Sequence, residues 1–191
     1  MKRFIAFMQS LMLVLLAIAA GLGSAWWAIK HAPASAQTTI QAGVWKGNTL
    51  TGSRGADDIN RARVAISGLL ALDRSETIYF AAHTDSQLRP LRSRCTYKIS
   101  GTAPAARWWS ITAYADDHFL FDAVNRKFSF SGDGAFSFST GPHDIAGMQW
   151  LPTPGDRGLE LILRLYQPDA ALQAAPASLR PPVIEQIGAC A

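Results

Sequence analysis

The opening of this chain restricts its fold and its setting more than any other stretch. From Phe4 to Ile29 no side chain is charged, and LMLVLLAIAAGL, Leu11 to Leu22, is apolar or small without a break. Length separates the two fates of such a run, because a secretory core needs about 7–15 residues and a spanning helix about 20. The run holds 26 residues, which favours a helix that stays in the bilayer. Trp26 and Trp27 followed by Lys30 fit an interfacial belt, with indoles at headgroup depth and a snorkelling cation. Gly23-Ser24-Ala25 and Ala34-Ser35-Ala36 before Gln37 are cleavage-like sites, and cutting at either would release a soluble domain. Lys2, Arg3 and the free amine outnumber Lys30, so the amino terminus is expected in the cytoplasm and residues 37–191 on the far side.

The anchor also accounts for most of the charge. The formal net charge is +4, from 18 basic and 14 acidic residues. Setting aside Lys2, Arg3 and Lys30 leaves 15 against 14, too even for the clustered basic surface that nucleic acid requires. Two cysteines, Cys95 and Cys190, form an even set in an exported domain and read as one disulfide. Closing a loop of that length contributes about 4–5 kcal/mol on the chain-entropy model and ties down the carboxyl-terminal tail.

The 191 residues suit a single module with a true core. Residues 1–30 form the anchor. Residues 31–41, without apolar periodicity, form a linker. Residues 42–191 form the domain. Asp57 and Asp58 open a helical stretch that places Ile59, Ala62, Ala65, Ile66, Leu69 and Leu70 on one face. After Leu72 the period becomes two: Thr77–Ala82, Cys95–Ser100, Arg107–Tyr114, Lys127–Ser131, Ala135–Ser139 and Leu159–Tyr166 read as strands. Within LELILRLY the leucines share one face, and Glu160, Ile162, Arg164 and Tyr166 the other. KFSFSGDGAFSFS is a predicted hairpin about Gly-Asp-Gly, with Phe128, Phe130, Phe136 and Phe138 pointing one way. In RWWSITAY, Trp109 falls on the core side, while Trp108 shares its face with hydroxyls and Tyr114. Short strands between Gly, Pro and Asp turns predict a mainly β fold: a jelly-roll-like antiparallel β-sandwich with one helix packed against it, preceded by a transmembrane helix.

Familiar catalytic and cofactor signatures are absent: no G-x-S-x-G, H-E-x-x-H, C-x-x-C, phosphate loop or dinucleotide fingerprint. His31, His83, His118 and His143 lack ligand spacing. Asp116-Asp117-His118 alternates faces instead of converging, so no metal is expected there. No cofactor is expected either.

The ordered series Asn60-Arg61-Ala62, GLLAL, Ile78-Tyr79, Asp85 with Leu91, RWWSITAYADDHFL, Asn125-Arg126, Asp133-Gly134, QWLPTP, LRLYQP and PPV resembles bacterial domain of unknown function 1214 over residues 57–187. WWSITAY, WLPTP and LRLY-x-P are the most specific parts. The resemblance implies a β-rich, sandwich-like, exported or membrane-anchored domain, and supplies no catalytic residues. In larger relatives another domain precedes this module; here the anchor and linker take that place. Leu88 replaces a usual turn glycine and Gln149 a usual asparagine.

The leading expectation is a single-pass inner-membrane protein whose periplasmic domain binds a glycan, lipid headgroup or protein without turning it over. Candidate binding residues are Arg61, Asp85, Trp108, Tyr114, Asn125, Arg126 and Arg164. The alternatives are a hydrolase of an envelope substrate, with Asp85, Asp116 or Asp117 as acid and base, and a structural or assembly module. Two acids converging in one pocket would favour the hydrolase.

Overall fold

Side-chain alternation settles the architecture. The computed structural model describes residues 2–32, 38–122, 126–188 and 190. Helix α1 (Lys2–His31) is followed by β1 (Thr39–Ala42), β2 (Trp45–Asn48), α2 (Asp58–Ile66), β3 (Thr77–Ala82), β4 (Tyr97–Thr102), β5 (Ala106–Ala115), β6 (Ser129–Phe130), β7 (Ala135–Gly141), β8 (Gln149–Pro152), β9 (Leu159–Pro168), α3 (Ala170–Ala174), a 3-10 turn (Pro176–Ser178) and β10 (Val183–Gln186). One sheet runs β1-β2-β3-β9-β5-β6 and the other β10-β4-β7-β8. Neighbouring strands are antiparallel except β7 and β8, which run parallel. Ile78, Phe80, Ile111 and the β9 leucines from one sheet share a single core with Tyr97, Ile99, Phe136, Phe138 and Ile184 from the other. The result is the expected two-sheet sandwich.

Strand β9, 10 residues long, lies between β3 and β5 in the larger sheet. Leu161, Leu163 and Leu165 are fully buried, flanked by β3 and β5 in antiparallel register. Trp45 is also fully buried, and its Nε1 donates to Pro182 O at 2.8 Å. Cys95 and Cys190 are joined in a disulfide, which fastens the tail beyond β10 to the loop before β4.

Three local expectations change. Thr39–Ala42 lies mostly in the stretch read as linker, yet it pairs with β2 through a turn in which Gly43 has φ +59°. The Phe-Ser repeat is not a hairpin: β6 pairs with β5, while β7 pairs with β4 in the opposite sheet. Residues 131–134 cross between the sheets, with Gly134 at φ +63°. Phe130 and Phe138 meet across the core instead, 4.3 Å apart.

Helix α2 is capped by Asp57, whose Oδ1 accepts from Asn60 N at 2.8 Å, but it ends at Ile66. Gly68 and Leu70 take φ of +61° and +47°, so the apolar face stops short and leaves Ile66 and Leu70 exposed. No residue of this helix is buried. Arg63 Nε donates to Ile29 O at 2.7 Å and its Nη2 to Ala32 O, so α2 leans on the end of α1.

Helix α1 is long and apolar enough to cross a membrane, and none of its spanning window is buried. At its end Lys30 lies 5.0 Å from the Trp26 ring, as an interfacial pair would. Residues 33–37, which include Ala34-Ser35-Ala36, fall outside the described residues.

Candidate functional site

The outer face of the six-stranded sheet, away from the core, carries the polar half of each strand's alternation. Register arranges it in rows. Trp108 stands opposite Tyr166, which stands opposite Thr77; Ser110, Arg164 and Tyr79 form the next row. Then come Thr112, Ile162 and Ala81, extended to Lys46 of β2. Tyr114 and Glu160 complete the series. Most of this face is shielded from water: Tyr79, Ser110, Thr112, Glu160 and Ile162 are all buried. The segment around the end of α2 provides the cover. Tyr79 OH accepts from Leu72 N at 2.9 Å, and Ser67, Gly68 and Leu69 lie over the sheet.

Between cover and sheet is a cavity of about 160 Å³, with Lys46, Tyr79, Tyr114, His118, Glu160 and Arg164 in its wall. Arg164 donates to Thr112 Oγ1 at 3.1 Å and to Tyr114 OH at 3.0 Å. Its guanidinium carbon lies 5.5 Å from the Tyr114 ring centre. At the other end, Glu160 lies between two imidazoles, with Oε1 3.5 Å from His83 Nε2 and Oε2 3.2 Å from His118 Nδ1. The turn after β5 aims His118 there: its N–H donates to Ala115 O at 2.8 Å and it takes φ +66°. Among the described residues no three metal-ligating side chains are placed to hold an ion.

Beyond Leu72 the same face opens into a second hollow of about 320 Å³, lined by Trp108, Tyr166, Arg107, Gln167, Glu76 and Thr77. Trp108 is 48% exposed and its ring centre is 4.8 Å from that of Tyr166. Burial pushes the Tyr166 phenol above its ordinary pKa, against the pull of Arg164. It therefore stays neutral at physiological pH and keeps its proton for donation.

The sequence candidates divide between this face and distant places. Tyr114 and Arg164 are in direct contact, and Trp108 lies on the same face. Arg61 lies elsewhere, bracing its own loop through Ala56 O and Arg54 O. Arg126 is exposed in the β5–β6 connection at φ +53°, and Asn125 lies outside the described residues.

Asp85 is buried in a turn, accepting from Gln87 N, Arg89 N and Arg89 Nε, with Arg89 Nη2 at 2.6 Å. Burial raises its pKa, but the bonds from Arg89 and Gln87 outweigh burial and hold it below the usual carboxylate value. Leu88 of this turn takes φ +64° where a glycine was expected, and the turn still closes through Leu88 N to Asp85 O. Asp117 pairs with Arg157 at 2.5 Å, which lowers its pKa, and Asp116 lies 3.6 Å from the same arginine. These acids do not converge in one pocket; the carboxylate in the cavity wall is Glu160.

Sequence reading placed Glu160 and Tyr166 on the face of Arg164 but passed over Tyr79, Lys46, His83 and His118. The signal for Tyr79 was its polar tip in an otherwise apolar strand. Nothing in the spacing of the histidines pointed to Glu160.

The family described as protein of unknown function (DUF1214) matches residues 76–170, a stretch from the start of β3 to the start of α3 and narrower than the 57–187 of the motif series. No curated protein is a significant match. A solved structure, the VPA0106 protein from Vibrio parahaemolyticus, is similar at 21% identity and a TM-score of 0.55, covering 70% of this chain and 36% of that one. This chain thus spans little more than a third of that protein's length, and the likeness is one of fold.

Proposed function

We propose that this chain, in which residues 76–170 are a DUF1214 segment, is a membrane-tethered envelope domain that binds a glycan on the outer face of its larger sheet without turning it over. Helix α1 is the tether and residues beyond it face the periplasm. The apolar length of α1 and the disulfide between Cys95 and Cys190 support that placement.

The observation that carries the reading is the Trp108–Tyr166 pair, half open to solvent beside a polar, partly roofed cavity. An aromatic platform offers a sugar ring a flat apolar surface, while fixed hydroxyls and charged groups nearby orient it. Thermal melts of the full-length protein in detergent, with a panel of envelope oligosaccharides, test this. A specific ligand at a hundred times its dissociation constant adds about 2.7 kcal/mol and raises the midpoint, and Trp108→Ala removes that rise. Equal midpoints with and without every glycan would sink the proposal.

A further inference from the structure

The cavity wall holds positive charge that its own acid does not neutralise. Arg164 is half-buried, and its two hydrogen bonds go to neutral hydroxyls, those of Thr112 and Tyr114. Among the described residues it forms no ion pair, and neither does Lys46. Glu160 is the acid of the wall, but no ion pair joins it to Arg164. Both its oxygens face His83 and His118.

A guanidinium drawn partly out of water without a carboxylate is left uncompensated, and its attraction for an anion is strengthened by the same loss of solvent. Thr112 and Tyr114 hold its plane still, which prepares the remaining N–H groups of the fork for a planar or tetrahedral acid. Lys46 lies across Ala81 and Ile162 as a second cation at the rim.

We infer that the cavity takes an acidic group of the ligand, a carboxylate or a phosphate, onto Arg164 with Lys46 assisting, so that the glycan is acidic and not neutral. This rests on the outer face being the ligand site. Arg164 fixes the acid, and the Trp108–Tyr166 platform takes the rest of the chain.

Isothermal titration of the full-length protein in detergent tests the inference, with tetragalacturonate, cellotetraose and inorganic phosphate as probes. Tetragalacturonate is expected to bind at least tenfold more tightly than cellotetraose, with affinity falling as salt is raised. Phosphate binding as tightly as tetragalacturonate assigns the acid to a phosphorylated ligand; weaker phosphate binding assigns it to a uronic acid. Arg164→Gln is expected to weaken the acidic probes tenfold or more. Lys46→Gln, at an exposed position that leaves the fold intact, weakens them about threefold through its lost charge.

Equal affinity for the charged and neutral tetrasaccharides, or wild-type affinity in a folded Arg164→Gln protein, overturns the inference and leaves the glycan-binding reading standing. Should Arg164→Gln fail to fold, unchanged affinity in Lys46→Gln overturns it equally. No binding of any probe or of the oligosaccharide panel overturns both.

Discussion

Alternate residues of β9 go to opposite sides of the larger sheet, and both sides are largely closed to water. Leu161, Leu163 and Leu165 are fully buried, while Ile162 and Glu160 are 8% and 9% exposed. The inner residues are covered by the second sheet, side chain against side chain. The outer ones are covered by a loop that ends a short helix with no buried residue of its own. A sheet packed on a sheet closes to interior density, whereas a loop over polar side chains leaves a cavity. That difference is why the same strand can hold the core with its leucines and line a polar cavity with Glu160 and Arg164. In Trp108 and Trp109 the two sides meet in adjacent residues.

The largest effect is expected on the inner side. Trp109 is 4% exposed, packs with tilted rings against Phe136 at 4.6 Å and Phe130 at 5.9 Å, and donates to Gly132 O at 2.9 Å. Trp109→Ala therefore leaves a cavity and an unpaired carbonyl. It is expected to cost about 4 kcal/mol, lowering the thermal midpoint by roughly 10 °C in a domain of this size. A drop of less than about 3 °C would mean that the inner face is not packed as a sheet-on-sheet core.

Much of the inner side could be read from the residues, because a period of two states which side chains share a face. LELILRLY, the Trp109 side of RWWSITAY and Phe130, Phe136 and Phe138 point as they read, whereas Phe128, just before β6, stays exposed. What alternation does not state is which strand lies alongside. Phe130 and Phe136 were correctly faced toward the core but wrongly joined, because Gly132 and Gly134 permit a crossing as well as a tight turn. The outer face was half legible. Arg164 and Tyr114 were singled out for the polarity of their side of the strand, and register then placed them in contact. Tyr79 and Lys46 reach the same cavity through β3–β9 and β2–β3 pairings that depend on the whole sheet. His118 takes a left-handed backbone at φ +66°, which histidine adopts more readily than most non-glycine residues, but that preference is too weak to announce the turn. Asp85 was marked as a candidate acid because a lone carboxylate looks the same whether it meets a ligand or closes its own turn.

A middle-sized effect sharpens the comparison on the outer side. Ile162 belongs to the face that alternation would leave to solvent, and the segment at the α2 end covers the cavity it lines. Ile162→Ala is expected to cost about 2 kcal/mol, toward the lower end for a buried aliphatic residue because the loop above can settle into the space. Denaturant titration of the full-length protein in detergent measures it. A cost under about 0.5 kcal/mol, usual for a surface site, would show that the cover does not hold the outer face closed and that the cavity lacks a fixed roof.

The smallest effect separates the adjacent tryptophans. Trp108 is 48% exposed and its contact of note is the Tyr166 ring at 4.8 Å, so Trp108→Ala removes one exposed aromatic pair and part of a side chain's burial. The expected loss is about 1 kcal/mol, or about 3 °C in the midpoint, beside the fall of roughly 10 °C expected for Trp109→Ala. Its sheet pairing is made by backbone atoms and survives the change. The two variants should therefore be measured under the same melt, where a common error in the detergent baseline cancels. A Trp108→Ala protein that melts as low as Trp109→Ala would make both indoles structural, and the outer face would then have no aromatic platform to spare for a ligand.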